Sequence, residues 1–323
     1  MAQRKWKSLL VAVRDVDHPP RALLAKAARI ALRFNAKLEL FNVIAAPLAL
    51  PGDAGMDATK DAEIEVRKNK LERLAKRLRA TGIKVSCAAA WDYPAADAIV
   101  RHVMRVKPDV VLAESHHHSK VARWFVAHTD WELIRACPCP LWLVKTSKLP
   151  DDPRVLAAID PFHAHEKPAA LDDEVLGSAS LAAGERGRLG VAHVYPLPIT
   201  MVASGMGEPV WVMAPVAEQK RIKQRVMQAV EAEAGRYDVK RTDRFVQGGE
   251  AGIDLPQIVK DWKANLLVMG AVSRSALKRV FIGHTAERVI DAVHCDVLIV
   301  KPRSFKTPVS RKPQTPVLPI PPI

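Results

Sequence analysis

The sequence predicts two tandem α/β domains, each built on a five-stranded parallel sheet. Three observations carry this. The chain has 323 residues, and domains average roughly 150 residues, so two are expected. Residues Arg123–Lys145 align without a gap on Arg279–Lys301 at a constant offset of 156, with nine identities, among them Phe125/Phe281, His128/His284, Thr129/Thr285, Cys139/Cys295 and Lys145/Lys301. Both halves also run through the same alternation of short apolar runs and helical patterns, which implies right-handed βαβ crossovers and a parallel sheet.

In the first copy, strands are expected at Leu9–Val13, Leu38–Ile44, Val85–Ala90, Val110–Ala113 and Leu141–Val144, with helices at Ala22–Phe34, Ala62–Ala80 and Ala95–Val106. In the second, strands are expected at Val155–Ile159, Leu189–Tyr195, Arg244–Gln247, Leu266–Met269 and Val297–Val300, with helices at Val216–Arg236 and Ile253–Trp262. The turn-forming segment SerLysLeuProAspAspPro separates the copies, giving domains at 1–147 and 154–303. Residues 304–323 are read as a Pro-rich, basic tail. Its six prolines can join neither a helix interior nor a sheet ladder, so an extended, disordered segment is expected.

Composition excludes several classes. Apolar residues make up 49% of the chain, yet no run approaches the roughly 18 apolar residues of a membrane span. The basic amino terminus leads into a strand with no small-residue cleavage site, so a soluble, cytoplasmic protein is expected. Four cysteines, Cys87, Cys137, Cys139 and Cys295, are too few for a disulfide framework or a zinc site. Cys137-Pro138-Cys139 admits a redox interpretation, but buried thiols leading into a strand account for it more simply.

The net charge of +14 is uneven: residues 1–149 carry 26 Lys and Arg against 15 Asp and Glu. Between Lys60 and Lys84 the basic residues interleave with Glu63, Glu65 and Glu72, as on the solvated face of an amphipathic helix. His116-His117-His118 are adjacent in sequence and point apart, which favours a surface role over a metal site. Trp91, Tyr93, Trp124, Trp131 and Trp142 fit core packing as well as an apolar pocket. No HExxH, GxSxG or Walker loop is present.

In open parallel sheets, ligands bind beyond the carboxyl ends of strands, where strand order reverses. Asp160 closes the first strand of the second copy. Gly270 closes a later strand, where a missing side chain admits close approach of a ligand to the backbone. Gly283-His284-Thr285 opens a helix, where free N–H groups and a hydroxyl face an anion. Arg274, Lys278 and Arg279 lie between.

The spacing Gly270-x2-Ser273-x9-Gly283-His284-Thr285 resembles the nucleotide loop of the universal stress protein family, Gly-x2-Gly-x9-Gly-[Ser/Thr]. Over roughly residues 5–305 the layout is similar to that of tandem-domain members of the UspE type. The resemblance implies a fold related to the adenine nucleotide α-hydrolase-like and Rossmann-like folds, a pseudo-dimer in which the last strands of the two copies pair, and an aspartate at the adenine, here Asp160. It implies a role in stress survival and no reaction.

Departures bear on the ligand. Ser273 replaces the middle glycine, and His284 stands at the Ser/Thr position with Thr285 after it. In copy one, Glu114 takes the place of Gly270, His117 of Ser273, Ala127 of Gly283 and Arg14 of Asp160. A carboxylate there repels phosphate, so copy one is not expected to bind ATP. The candidate ligand residues are thus Asp160, Gly270, Ser273, Arg274, Gly283, His284 and Thr285, with no catalytic or metal residue. ATP is the candidate cofactor; a nucleotide or apolar metabolite is the expected small-molecule ligand, and homodimerisation beyond the intrachain pairing is open. A slow ATPase acting through copy two is the alternative, and a nucleic-acid or acidic-surface binder the less favoured one.

Overall fold

The computed structural model describes residues 5–45, 54–115, 128–162, 170–203, 209–271 and 284–313. The chain divides into two compact units. The first takes the described residues up to Leu149 and from Asp296 onward; the second takes those between Pro150 and Cys295.

The first unit runs β1 (Ser8–Ala12), α1 (Arg21–Phe34), β2 (Lys37–Ile44), α2 (Ala54–Arg79), β3 (Val85–Trp91), α3 (Ala95–Val106), β4 (Val110–Glu114), α4 (His128–Ala136) and β5 (Leu141–Val144). These strands lie in the order β5-β4-β1-β2-β3, every neighbouring pair parallel. The order reverses between β1 and β4, the position at which such sheets open a crevice. Leu9, Leu10 and Val11 are buried, as are Val110, Val111 and Leu112. A central parallel strand covered on both faces needs such a continuous apolar run. α1 ends on Asn35, whose left-handed φ of 50° lets its N–H reach the carbonyls of Ala31 and Leu32.

The second unit holds β6 (Arg154–Ala158), α5 (Ala170–Ala183), β7 (Arg188–Tyr195), β8 (Ile199–Ala203), β9 (Pro209–Met213), α6 (Val216–Gly235), β10 (Arg244–Gly248), α7 (Ala251–Asp261), β11 (Leu266–Gly270) and α8 (His284–Ala292). Its parallel strands lie in the order β10-β7-β6-β11. β8 and β9 form an antiparallel hairpin, Ile199 opposite Met213, that the sequence reading lacks. α2 begins eight residues before the expected Ala62. No helix among the described residues is long and apolar enough to cross a membrane.

The last strand, β12 (Asp296–Val300), falls in the first unit. It pairs antiparallel with β5, Leu298 opposite Trp142, so the expected pairing of the two last strands is present. The second unit therefore contains four of the five strands predicted for its copy. The tie is chemical as well as topological. Asp296 and Lys26, both fully buried, form an ion pair at 2.8 Å. The Asp296 carboxylate also accepts from Trp142 Nε1 at 2.9 Å and from the N–H groups of Lys145 and Thr146 at 3.0 and 3.1 Å. Lys26 Nζ donates in addition to the carbonyl of Lys148.

Breaking a buried pair leaves an uncompensated charge and costs about 3–5 kcal/mol. Asp296→Ala is expected to lower unfolding free energy by an amount in that range. Lys26→Met is expected to cost less, because Asp296 keeps three N–H donors. Urea unfolding of both variants checks the order, and a Lys26→Met loss exceeding that of Asp296→Ala contradicts it.

Candidate functional site

In the second unit the site is built from the register of β6 against β11. Ala158 faces Met269, so Ile159-Asp160 and Gly270 emerge together from the carboxyl ends of neighbouring parallel strands. Asp160 is half-buried. Its N–H donates to the carboxylate of Asp172 on α5, with N–O distances of 3.1 and 3.2 Å. Asp172, at 4% exposure, thus fixes the turn leaving β6.

The preceding residue is held from the other side. His193 on β7 bonds the carbonyl of Ile159 through Nδ1 at 2.9 Å. A carbonyl only accepts, so Nδ1 is the donor in this bond. Nε2 is buried and has no hydrogen-bond partner among the described residues. The imidazole lies 6.4 Å from the Tyr195 ring and 6.2 Å from that of Phe162, over which the Arg225 guanidinium sits at 5.7 Å.

Gly270 meets a close neighbour of its own. A Cβ placed there would lie 2.7 Å from Cδ2 of Leu171, a residue buried in α5. A side chain at this position would therefore displace Leu171 inside the unit. Thr285 sits exposed in the first turn of α8, which begins at His284. Ser273, Arg274 and Gly283 lie outside the described residues. The structure thus brings Asp160 and Gly270 to one sheet end and places Thr285 at a helix start.

The first unit carries the same framework with different chemistry. Ala12 faces Ala113, which puts Arg14 and Glu114 where the second unit has Asp160 and Gly270. Arg14 is exposed and Glu114 half-buried. Asn42 on β2 occupies the register position of His193. Its Nδ2 donates to the carbonyls of Val13 at 2.8 Å and Arg14 at 3.2 Å. Its Oδ1 is buried with no hydrogen-bond partner among the described residues. His116–His118 and Ala127 lie outside the described residues.

The sequence reading missed Asp172, His193 and Asn42. One signal was available: LeuGlyValAlaHisValTyr and LeuGluLeuPheAsnValIle each place a polar residue, His193 and Asn42, two positions before the end of the strand. The other expectations fall as follows. Trp142 is a core residue at 2% exposure, packed edge-on against Trp6 at 5.8 Å. Tyr93 is exposed and Trp124 lies outside the described residues. On α2, Arg67–Glu63, Lys68–Glu65 and Arg79–Glu72 form ion pairs on a solvated face. Part of that basic run instead lines a cavity of about 750 Å³ between α1 and α2, where Arg21, Arg73 and Arg77 stand over Leu24, Leu74 and Leu78.

Residues 5–145 and 153–301 each match the universal stress protein family. Universal stress protein E of Escherichia coli (strain K12) is 25% identical over 315 residues, covering 94% of this chain and 96% of that one. The universal stress protein E homolog of Haemophilus influenzae is 22% identical over 308 residues, covering 92% and 98%. Among solved structures, a universal stress protein from Archaeoglobus fulgidus has a TM-score of 0.64 at 18% identity, covering 92% of this chain and 98% of that chain. The functionally unknown protein PA1789 from Pseudomonas aeruginosa PAO1 has a TM-score of 0.69 at 22% identity, covering 92% and 93%. The chain belongs to the universal stress protein family, with two such domains in tandem.

The Gly270 contact has a measurable consequence. Gly270→Ala is expected to destabilise the protein by about 1–3 kcal/mol through overpacking. Combining it with Leu171→Ala should make the two losses less than additive. Strictly additive losses in a double-mutant cycle would show that the two side chains do not compete for this space.

Proposed function

We propose, with that membership as the premise, that the chain is a non-enzymatic stress-response protein of the E type. It acts in the cytoplasm and binds one small ligand through its second copy. The supporting observation is the contrast at two equivalent strand ends: Asp160 beside Gly270 in one unit, Arg14 beside Glu114 in the other. A carboxylate and a bare backbone suit the hydrogen-bond donors of a nucleobase and the close passage of a ligand. An arginine beside a glutamate offers neither. Gly283, His284 and Thr285, with Ser273 and Arg274, would take the anionic end of such a ligand at the start of α8. A nucleotide, with ATP as the candidate, is the ligand class that uses all of these groups; an apolar metabolite would use the strand ends alone.

Native mass spectrometry of the purified chain, followed by titration with ATP, tests this. One nucleotide or metabolite per chain is expected, with no turnover of ATP. Asp160→Asn should weaken binding about tenfold or more, the usual loss for a charged hydrogen bond, while Arg14→Ala leaves it unchanged. Loss of binding in Arg14→Ala with full affinity in Asp160→Asn would place the ligand in copy one and overturn the proposal. Sustained ATP hydrolysis abolished by Gly283→Val would replace it with an enzymatic role.

A further inference from the structure

We infer that Cys137 and Cys139 form a redox-active dithiol in the first unit, a modification site reversibly oxidised to a disulfide by hydroperoxides. The geometry is specific. The two sulfurs lie 3.7 Å apart, flanking Pro138 in the short link between α4 and β5. Two residues of chain span at most about 7 Å, which keeps the Cα atoms near the range that a disulfide bridges. Cys137 is buried and Cys139 half-buried, so Cys139 is the member of the pair nearer solvent.

The surroundings make Cys137 the more acidic thiol of the pair. A hydrogen bond from Cys139 and the nearby Lys301 ammonium both lower the pKa of Cys137. Cys139, which retains the proton, is raised well above the usual thiol range. Lys301 stands just beyond β12 in the same unit, and burial brings its own pKa down to about 8. Cys87 contrasts with the pair: burial and the nearby Glu72 carboxylate push its thiol up to about 12, which leaves it inert.

The chemistry balances with one hydroperoxide. The Cys137 thiolate attacks the peroxide oxygen, the O–O bond breaks, and the leaving oxygen takes a proton and departs as water or alcohol. Cys137 becomes a sulfenic acid. The Cys139 sulfur then gives up its proton and attacks the Cys137 sulfur, the S–O bond breaks, and the hydroxyl leaves with that proton as water. Both thiols have been oxidised by one electron each and the peroxide reduced by two. A low-molecular-weight thiol reverses the bond by exchange.

The duplication supplies an internal control. At the offset of 156, Cys139 aligns with Cys295 but Cys137 aligns with Val293, so the second copy retains one thiol of the two. The extra cysteine is therefore not needed to end the helix or start the strand. Its N–H closes the last turn of α4 onto Leu133 at 2.9 Å, so drawing the sulfurs together acts on the helix that begins at His128.

The test treats the full-length protein with hydrogen peroxide and maps it by mass spectrometry after alkylation. Trypsin releases both cysteines in the single peptide Ala136–Lys145. In the wild type this peptide should become lighter by two hydrogens, resist alkylation, and recover on addition of a reducing thiol. It should do so at least about tenfold faster than Cys87 or Cys295 is modified. Cys137→Val, which installs the residue of the second copy, and Cys139→Ser should each abolish the lighter peptide. A peptide that remains fully alkylatable, or that accumulates sulfinate without a disulfide, overturns the proposal. So does a lighter peptide that persists in either variant.

Discussion

The buried ion pair between Lys26 and Asp296 is the constraint around which the first unit is arranged. An unpaired charge in a protein interior costs several kcal/mol, so each partner must be met by fixed groups. Asp296 receives four donors, Lys26 Nζ, Trp142 Nε1 and two backbone N–H groups, and these come from α1, β5 and the segment that leaves β5. Trp142 in turn packs on Trp6, and Trp6 packs edge-on against Phe34 at the end of α1, at 5.0 Å. One carboxylate from the far end of the chain thereby fixes the first helix, the last strand of copy one and the aromatic contacts between them. The antiparallel pairing of β12 with β5 delivers that carboxylate, and it also covers a strand edge that would otherwise be open.

The carboxylate of this arrangement has no counterpart in the duplicated segment. At the offset of 156, Pro140 stands where the second copy has Asp296. The helices that follow the first strands diverge in the same way. Leu23, Lys26, Ala27, Ile30 and Ala31 are buried on α1, and Leu171, Glu174, Val175, Ser178 and Ala179 repeat that pattern on α5 at an offset of 148. The buried lysine of one helix thus corresponds to a buried glutamate on the other. Spacing has been conserved between the copies while the charge at its centre has reversed. Shape and period therefore came through the duplication, and the electrostatics were set separately in each half.

That difference explains what could be read from the residues alone. Strand positions such as Leu9–Val13 and Val110–Ala113 are visible because a covered parallel strand must be a continuous apolar run, and the structure has β1 and β4 there. The pairing of the last strands followed from the family resemblance. Lys26 was not visible: within Leu23-Leu24-Ala25-Lys26 a lysine looks like the solvated side of a helix, and only a partner 270 residues away makes its burial tolerable. The β8–β9 hairpin was missed because its strands are short and apolar side chains in it stay exposed, as Ile199, Met201, Val212 and Met213 do. At the candidate site, Asp160 and Gly270 were legible from motif spacing. Asp172 and His193 were not, since their role is to hold backbone groups that only the folded register brings near.

The groups that hold the strand ends also explain how the two sites could diverge without loss of fold. In both units the backbone just beyond the first strand is tied by a side chain of the second strand: Asn42 to the Val13 carbonyl, His193 to the Ile159 carbonyl. Neither tie involves the side chain of the residue that follows, Arg14 in one unit and Asp160 in the other; Asn42 reaches only the Arg14 carbonyl in addition. The turn is therefore positioned whichever charge it presents. An arginine could replace an aspartate at this strand end without disturbing the β1–β4 register, which matches that of β6–β11 residue for residue at this end. Both ties leave a buried polar atom, Asn42 Oδ1 and His193 Nε2, without a protein partner among the described residues. Both copies keep a polar side chain at this register position, although the chemistry beside it has been inverted.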